Sequence, residues 1–265
     1  MAGSIPKSME NKLAEGRGQG CMGKYTPWLF VHEVPSKGLV SRIKGWKTQR
    51  SHHLLSLNEL YYFYLLEWND EVIDIREQYP LLPLEETLSI AKELKIKHPF
   101  DTNNKEFNVV TTDFLISVKA GFGYTLTARA VKPWEDLADR RTREKLAIEE
   151  QYWLNRQIPW QIVTERNIHL TIAKNIGFIH HKYNPENLPI DKSMIPAIRN
   201  VLEKRIIRYP NLTLSNCCLE VDNTFHLAPG SSLAVVRHLL ANKVWLTDMT
   251  SQINPDRPFL FKVRQ

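Results

Sequence analysis

Long apolar runs are missing from this chain of 265 residues. None approaches the roughly 20 residues that a membrane-spanning helix needs, so no membrane partner is expected. Cysteine is scarce, with only Cys21, Cys217 and Cys218. No Cys/His pairs stand at zinc spacing, which argues against a structural zinc. An odd cysteine count and no hydrophobic signal segment at the start give the expectation of a reducing cytoplasm. No long-period repeat is visible, so a solenoid is not expected. What is present is ordinary for a soluble protein: 43% hydrophobic and 24% charged residues, on a length that allows two domains.

The net charge of +6 has an address. Residues 1–50 hold nine bases (Lys7, Lys12, Arg17, Lys24, Lys37, Arg42, Lys44, Lys47, Arg50) against three acids (Glu10, Glu15, Glu33). The rest of the chain is balanced. A basic N-terminal arm, 1–50, on a neutral body suggests a polyanion partner, the alternative being a tail that serves solubility. Gly16-Arg17-Gly18-Gln19-Gly20 reads as flexible, disordered or ordered only on a partner. Tyr25 to Val40 is expected as an extended segment laid on the body. Ser41 to Arg50 interleaves Arg42, Lys44, Lys47 and Arg50 with Trp46, a pattern that suits DNA phosphates and one stacking residue. His52 and His53 are read as DNA-facing or simply polar.

A body, 51–165, follows. Ser56 with Glu59 three residues on has the spacing of a capping box. Leu57, Leu60, Tyr61, Tyr64, Leu65 and Trp68 recur at helical spacing and are expected to face the core. Val72 to Pro80 alternates as a strand with one buried face. A short helix is expected over Glu85 to Leu94. Val109 to Val118, a turn at Lys119–Gly123, and Tyr124 to Lys132 form a β-hairpin stopped by Pro133. Antiparallel pairing brings Asp113 and Lys132 to one end of the sheet. Glu135 to Gln157 reads as one long charged helix, and Ile158 to Thr164 as the next strand. Helix, strand, hairpin, helix and strand make a mixed α/β core.

In the last region, 166–265, Glu165 to Pro189 looks like a connector with a short helix. Helices at Met194–Arg208, Leu212–Asn223 and from Pro229 onward, then a small hairpin, give the outline of a winged helix. Ser231, Arg237 and His238 are its candidates for meeting DNA, but its charge is not strongly basic, so docking of protein is the preferred expectation.

Glu59, Asp113 and Lys132 together make an E…D…xK arrangement. Phosphodiester hydrolysis suits a Mg²⁺ held by one or two carboxylates, with sites left for water and phosphate. The cation lowers the pKa of water and stabilises charge on phosphate oxygens. A nearby lysine positions the attacking water, helps to deprotonate it, or offsets charge in the transition state. The plain alternatives are that Glu59 only caps its helix and that Asp113 and Lys132 are an ordinary surface pair.

Several blocks in order resemble the TnsA family of transposon endonucleases, in the PD-(D/E)xK superfamily. They are Gly16–Gly20, His52-His53-Leu54-Leu55-Ser56…Glu59-Leu60, Leu66-Glu67-Trp68, Asp74 to Leu81, Thr112-Asp113-Phe114-Leu115, Val131-Lys132-Pro133 and Tyr152-Trp153…Ile158-Pro159-Trp160. The resemblance covers about residues 12–165. It implies a restriction-endonuclease-like mixed-sheet catalytic domain followed by a C-terminal winged helix. It implies a Mg²⁺-dependent endodeoxyribonuclease, with one or two ions and Mn²⁺ as a substitute, that cuts the 5′ ends of a transposon in cut-and-paste transposition. The implied partners are double-stranded DNA at transposon ends, a TnsB-like DDE transposase and a TnsC-like AAA+ ATPase, in a bacterial cytoplasm near the nucleoid. By position, Glu59 and Asp113 become metal-binding catalytic carboxylates, Lys132 the catalytic lysine and the Val131 carbonyl a further ligand. Glu149 falls where the family has another carboxylate, although it also reads as part of a solvated helix face. Ala130 departs from the pattern, since the family has Glu or Gln there and a methyl group binds no metal. Either the other ligands and water suffice, or this is an inactivated form; we adopt the second. The alternative function is a non-catalytic scaffold for DNA and protein.

If the arm lies on DNA, log affinity falls with log salt at about −0.9 per phosphate contacted. Neutralising Arg42, Lys44 and Lys47 is then expected to flatten that slope in anisotropy titrations, and an unchanged slope would place the DNA elsewhere.

Overall fold

A computed structural model of the protein describes residues 7–34 and 39–264. Its internal contacts divide the chain into two units, Met1–His169 and Leu170–Gln265. The first unit is built on a four-stranded mixed sheet. β3 (Val72–Pro80) runs antiparallel to β6 (Thr111–Ala120), and β6 antiparallel to β7 (Gly123–Val131). β8 (Trp160–Val163) lies parallel to β7. A parallel neighbour needs a crossover, which α4 (Arg140–Asn155) provides. The β6–β7 turn is tighter than expected, with Ala120 opposite Gly123. Gly121 takes φ +55 there, a conformation that glycine adopts without a Cβ penalty. Leu81, Ile90, Leu115, Ala128, Ile148 and Trp153 form a core cluster from α3 (Leu84–Glu93), α4 and the sheet. Burying each large apolar side chain contributes roughly 1.5–3 kcal/mol.

Two helices differ from expectation. α2 (Leu57–Trp68) presents Glu59, Phe63, Tyr64, Leu66 and Glu67 inward, while Leu57 is 42% exposed. Tyr64 is buried as expected and Leu60, Tyr61, Leu65 and Trp68 are half-buried, but two inward positions are carboxylates, which a hydrophobic pattern alone does not assign. The long helix expected from Glu135 is broken in two, a 3₁₀ turn at Glu135–Ala138 and then α4. Asp139 separates them because its carboxylate accepts the Thr142 amide at 2.7 Å and caps α4.

The N-terminal arm, among its described residues, is part of the body. α1 spans Lys7–Ala14. Arg17 is buried, paired with Glu15 and Glu33 at 2.7 Å each, with its guanidinium 4.4 Å from the Phe30 ring centre. Gly18 lies on Pro80 so closely that a Cβ would stand 2.3 Å from the proline Cγ. Trp28 is buried and donates its amide to the Gln78 carbonyl at 3.1 Å. The stretch read as disordered is therefore folded, because its bases meet local acids and its aromatics meet the sheet. Residues 1–6 and 35–38, with Lys37, lie outside the described residues.

β1 (Ser41–Lys44) and β2 (Ser51–Leu54) form a second hairpin. Arg42 and Lys44 are exposed on it, and Lys47 donates to the Asn69 carbonyl at 2.8 Å. Trp46, expected to stack on DNA, is buried with its ring 6.3 Å from that of Trp68. Arg50 and His52, expected to face DNA, turn inward to Glu77. Arg50 Nη1 donates to Glu77 Oε1 at 2.7 Å, and His52 Nδ1 lies 2.8 Å from Glu77 Oε2. His52 and Glu77 are fully buried. Burial would raise the Glu77 carboxyl, but His52 and Arg50 hold it well below the usual carboxylate range. His53 is half-buried and accepts the Val31 amide at 3.3 Å. β3 is correspondingly covered on both faces, with Asp74 and Glu77 buried.

The second unit holds α5 (Leu170–His180), α6 (Ile195–Arg208), α7 (Leu214–Thr224), α8 (Ser231–Ala241) and the antiparallel pair β9 (Trp245–Leu246) and β10 (Lys262–Val263). The short helix expected within the connector is α5, which packs on α8 and buries Ala173, Ile176 and Ile179. Asp222 accepts the amides of Gly230 and Ser232 at 2.7 Å each, closing the start of α8. Ser231 is buried, donating to the Ala228 carbonyl, so it is not placed to meet DNA. Arg237 lies over the Phe178 ring and His238 bonds to the Lys182 carbonyl. Among the described residues, no helix is long and apolar enough to cross a membrane.

Glu77→Gln leaves the Arg50 guanidinium without its carboxylate, and a broken buried pair typically costs about 3–5 kcal/mol. Urea denaturation at neutral pH is expected to show a loss of that size, and a loss below about 1 kcal/mol would contradict a structural role for this network.

Candidate active site

Phe114 stands opposite Arg129 across β6 and β7, so one further step puts Asp113 beside Ala130. Asp113 Oδ2 accepts two bonds, from the Val131 amide at 2.6 Å and from Lys132 Nζ at 2.7 Å. The Lys132 amide is tied in turn to the Val163 carbonyl of β8 at 2.9 Å. Two strands thus fix the lysine and its carboxylate. Burial would lower the Lys132 pKa, but Asp113 outweighs it and the net shift is upward, so Lys132 is an ammonium at neutral pH.

Glu149 comes to the same place from α4. Its Oε1 accepts Thr112 Oγ1 and, at 2.9 Å, Trp160 Nε1. Thr112 is held by Trp153 Nε1 at 2.7 Å. Glu149 is only 5% exposed, which corrects its reading as part of a solvated face. The other charges of α4 do face solvent, and Arg140 and Arg141 pair with Glu144. Burial, then the charge of Asp113, pushes the Glu149 carboxyl up to about 7.

Glu59 caps α2 as its spacing suggested. Ser56 Oγ accepts the Glu59 amide at 3.1 Å, and Glu59 Oε2 accepts the Leu55 amide at 2.9 Å. Gln78 Nε2 also donates to Glu59 Oε2, at 3.2 Å. The same carboxyl is pushed up to about 7 by burial and by Asp113. A cavity of about 310 Å³ is lined by Asp113, Lys132 and Glu149, with Thr142, Lys145 and Leu146. Glu59 is not in that lining, although it shares the electrostatics of Asp113 and Lys132.

The residues fit a cation held by one or two carboxylates and water rather than an all-protein cage. Among the described residues, no three His, Cys, Asp or Glu side chains are arranged to hold a metal ion. Asp113 Oδ1 accepts no hydrogen bond from a described residue and remains for a ligand, and the mutual repulsion of buried carboxylates is what a cation relieves. Ala130 is fully buried and contributes only a methyl group. Gln78, Thr112 and Trp160, which hold Glu59 and Glu149, stand in the blocks that carry the resemblance but were given no role at the site. Nothing in their spacing marks them, since each acts across 11 to 37 residues.

Comparison with known proteins decides the family. The description "TnsA-like endonuclease N terminal" matches residues 69–165, and "TnsA endonuclease C terminal" matches 167–249. The chain is 40% identical over 231 residues to the transposon Tn7 transposition protein TnsA of Escherichia coli, covering 87% of this chain and 82% of that one. The chain belongs to the TnsA family of transposition endonucleases. The N-terminal match carries Asp113, Lys132 and Glu149 of this TnsA-family chain and starts after Glu59. The two matches meet near His169, where the fold divides.

Raised carboxyls give a signed pH effect. The folded state retains protons on Glu59 and Glu149 between about 4.5 and about 7 that the unfolded chain has released. Stability therefore falls as pH rises through that window, by up to about 1.4 kcal/mol per pH unit for each group. Glu149→Gln is expected to lessen the fall, as read by Tm from pH 4.5 to 8 in chelator; an unchanged pH profile would contradict the assignment.

Proposed function

We propose that this protein is a Mg²⁺-dependent DNA endonuclease that cuts the 5′ ends of a transposon, together with a DDE transposase and an AAA+ ATPase. The observation that carries this reading is the meeting of Asp113, Lys132 and Glu149 in one cavity, next to Glu59. The residues that would hold the cation are Asp113 through Oδ1, with Glu59 or Glu149 and the Val131 carbonyl in support. The bound cation would supply a more acidic water and charge stabilisation on the phosphate oxygens.

The chain's own groups have separable roles. Lys132, as an ammonium, orients water or phosphate and offsets negative charge. Its raised pKa disfavours it as the base. Glu149 has its Oε1 committed to Thr112 and Trp160, which leaves Oε2 to take a proton from water. A carboxyl near 7 is suited to that transfer at neutral pH. The helices and β9–β10 pair of the second unit serve as a winged helix that docks partner protein. Mn²⁺ substitutes for Mg²⁺ in this reading.

Ala130 leaves the site one donor short, and we assign this form as catalytically impaired. Ala130→Gln or Ala130→Glu is expected to raise Mg²⁺-dependent nicking of transposon-end DNA, with the partners present, by on the order of 10²-fold. Adding Asp113→Ala to either is expected to abolish it. The same Ala130 favours a second reading, a scaffold that keeps the fold without the chemistry. Absence of nicking in every variant, with either metal and with complexes still assembling, would leave only the scaffold.

A further inference from the structure

The wall of the cavity around Asp113 contains two cations, Lys132 and Lys145. They differ in what they already hold. Lys132 is committed to Asp113 at 2.7 Å. Lys145 is exposed and makes no ion pair or hydrogen bond with a described residue. The three arginines before it on α4 are all engaged. Arg140 and Arg141 bond Glu144 at 2.9 and 3.0 Å, and Arg143 bonds the carbonyls of Leu137 and Ala138 at 2.9 and 2.7 Å. Lys145 is also one helical turn from Glu149, so both share a face of α4.

A second cavity, of about 740 Å³, adjoins the first. It lies against α1, Trp28 and the small hairpin of β4 (Phe100–Asp101) and β5 (Glu106–Phe107). Val109 and Lys145 line both cavities, so Lys145 stands at their junction. Acids outnumber the other bases on either side: Asp113, Asp136 and Glu149 line the first beside Lys132, and Glu33, Asp101 and Glu106 line the second beside Lys12, whose ammonium lies 5.4 Å from the Trp28 ring centre. A polyanion crossing from one to the other is repelled unless a cation meets it there.

We infer that Lys145 binds a backbone phosphate next to the scissile one and so holds the cut strand across this junction. The inference rests on the DNA-cleaving reading above. It assigns Lys145 to affinity and strand placement, with no part in the bond-breaking step. The contact is to the phosphate alone, so it is independent of base sequence.

The test is anisotropy of the full-length chain on a labelled transposon-end duplex, from roughly 50 to 200 mM salt. Lys145→Ala is expected to weaken binding at the low-salt end and to make the slope of log affinity against log salt shallower by about 0.9, the share of one phosphate. Lys145→Arg is expected to keep the wild-type slope, and Arg140→Ala, at a neighbouring cation paired with Glu144, to change it less than Lys145→Ala. A Lys145→Ala slope and affinity equal to wild type would overturn the assignment, as would a Lys145→Arg protein that behaves like Lys145→Ala. Wild-type binding with no salt dependence would sink the DNA-cleaving reading itself, and this inference with it.

Discussion

The bond between Lys132 and Asp113 is the constraint on which the site depends. Three carboxylates, Glu59, Asp113 and Glu149, are buried within one another's influence. Burial first, and then the charge of Asp113, lead Glu59 and Glu149 to hold their protons up to about 7. Lys132 is the cation that offsets the repulsion among the three. Its place is set by backbone as much as by charge, since its amide is tied to β8 and the amide before it is bound by Asp113 itself. The parallel β7–β8 pairing therefore does more than extend the sheet. It fixes the end of β7, where the lysine emerges.

Around that centre, polar groups are buried in pairs rather than left to solvent. Glu149 is held by Thr112 and Trp160, and Glu59 by Leu55, Ser56 and Gln78. Farther along β3, Glu77 gathers Arg50 and His52. The N-terminal segment closes over this strand: Met22 donates to Asp74, Tyr25 to the Glu77 carbonyl and Trp28 to the Gln78 carbonyl. A charge surplus that looks like a free arm in the linear chain is thus spent partly on holding β3. Among the described bases of that stretch, Lys7, Lys24, Arg42 and Lys44 stay exposed.

Ala130 stands beside Asp113 in the sheet, and Lys145 lines the cavity that Asp113 also lines. Ala130 offers a fully buried methyl, and Lys145 an ammonium that pairs with no described residue. Chemistry and strand binding are separable on this account, so a form with a weak catalytic centre can still hold DNA. The family assignment covers both units, because the two matched regions run from the sheet into the helices of the second.

Order along the chain was enough to identify the hairpin, the turn at Gly121, the capping box at Ser56 and the juxtaposition of Asp113 with Lys132. These are local or follow from antiparallel pairing, which periodicity and turn residues encode. The inward face of α2, the break before α4, the burial of Glu149 and the inward turn of Arg50, His52 and Trp46 were not legible there. The break before α4 is a local cap by Asp139, but the others depend on a partner far away in sequence: Glu77 for Arg50, Trp68 for Trp46, Thr112 for Glu149. A charged or aromatic side chain has no intrinsic address, because whether it faces water depends on what opposes it. Residue type and spacing alone determined which groups could do the chemistry; only the folded neighbours decided which of them are buried, paired and brought to one cavity.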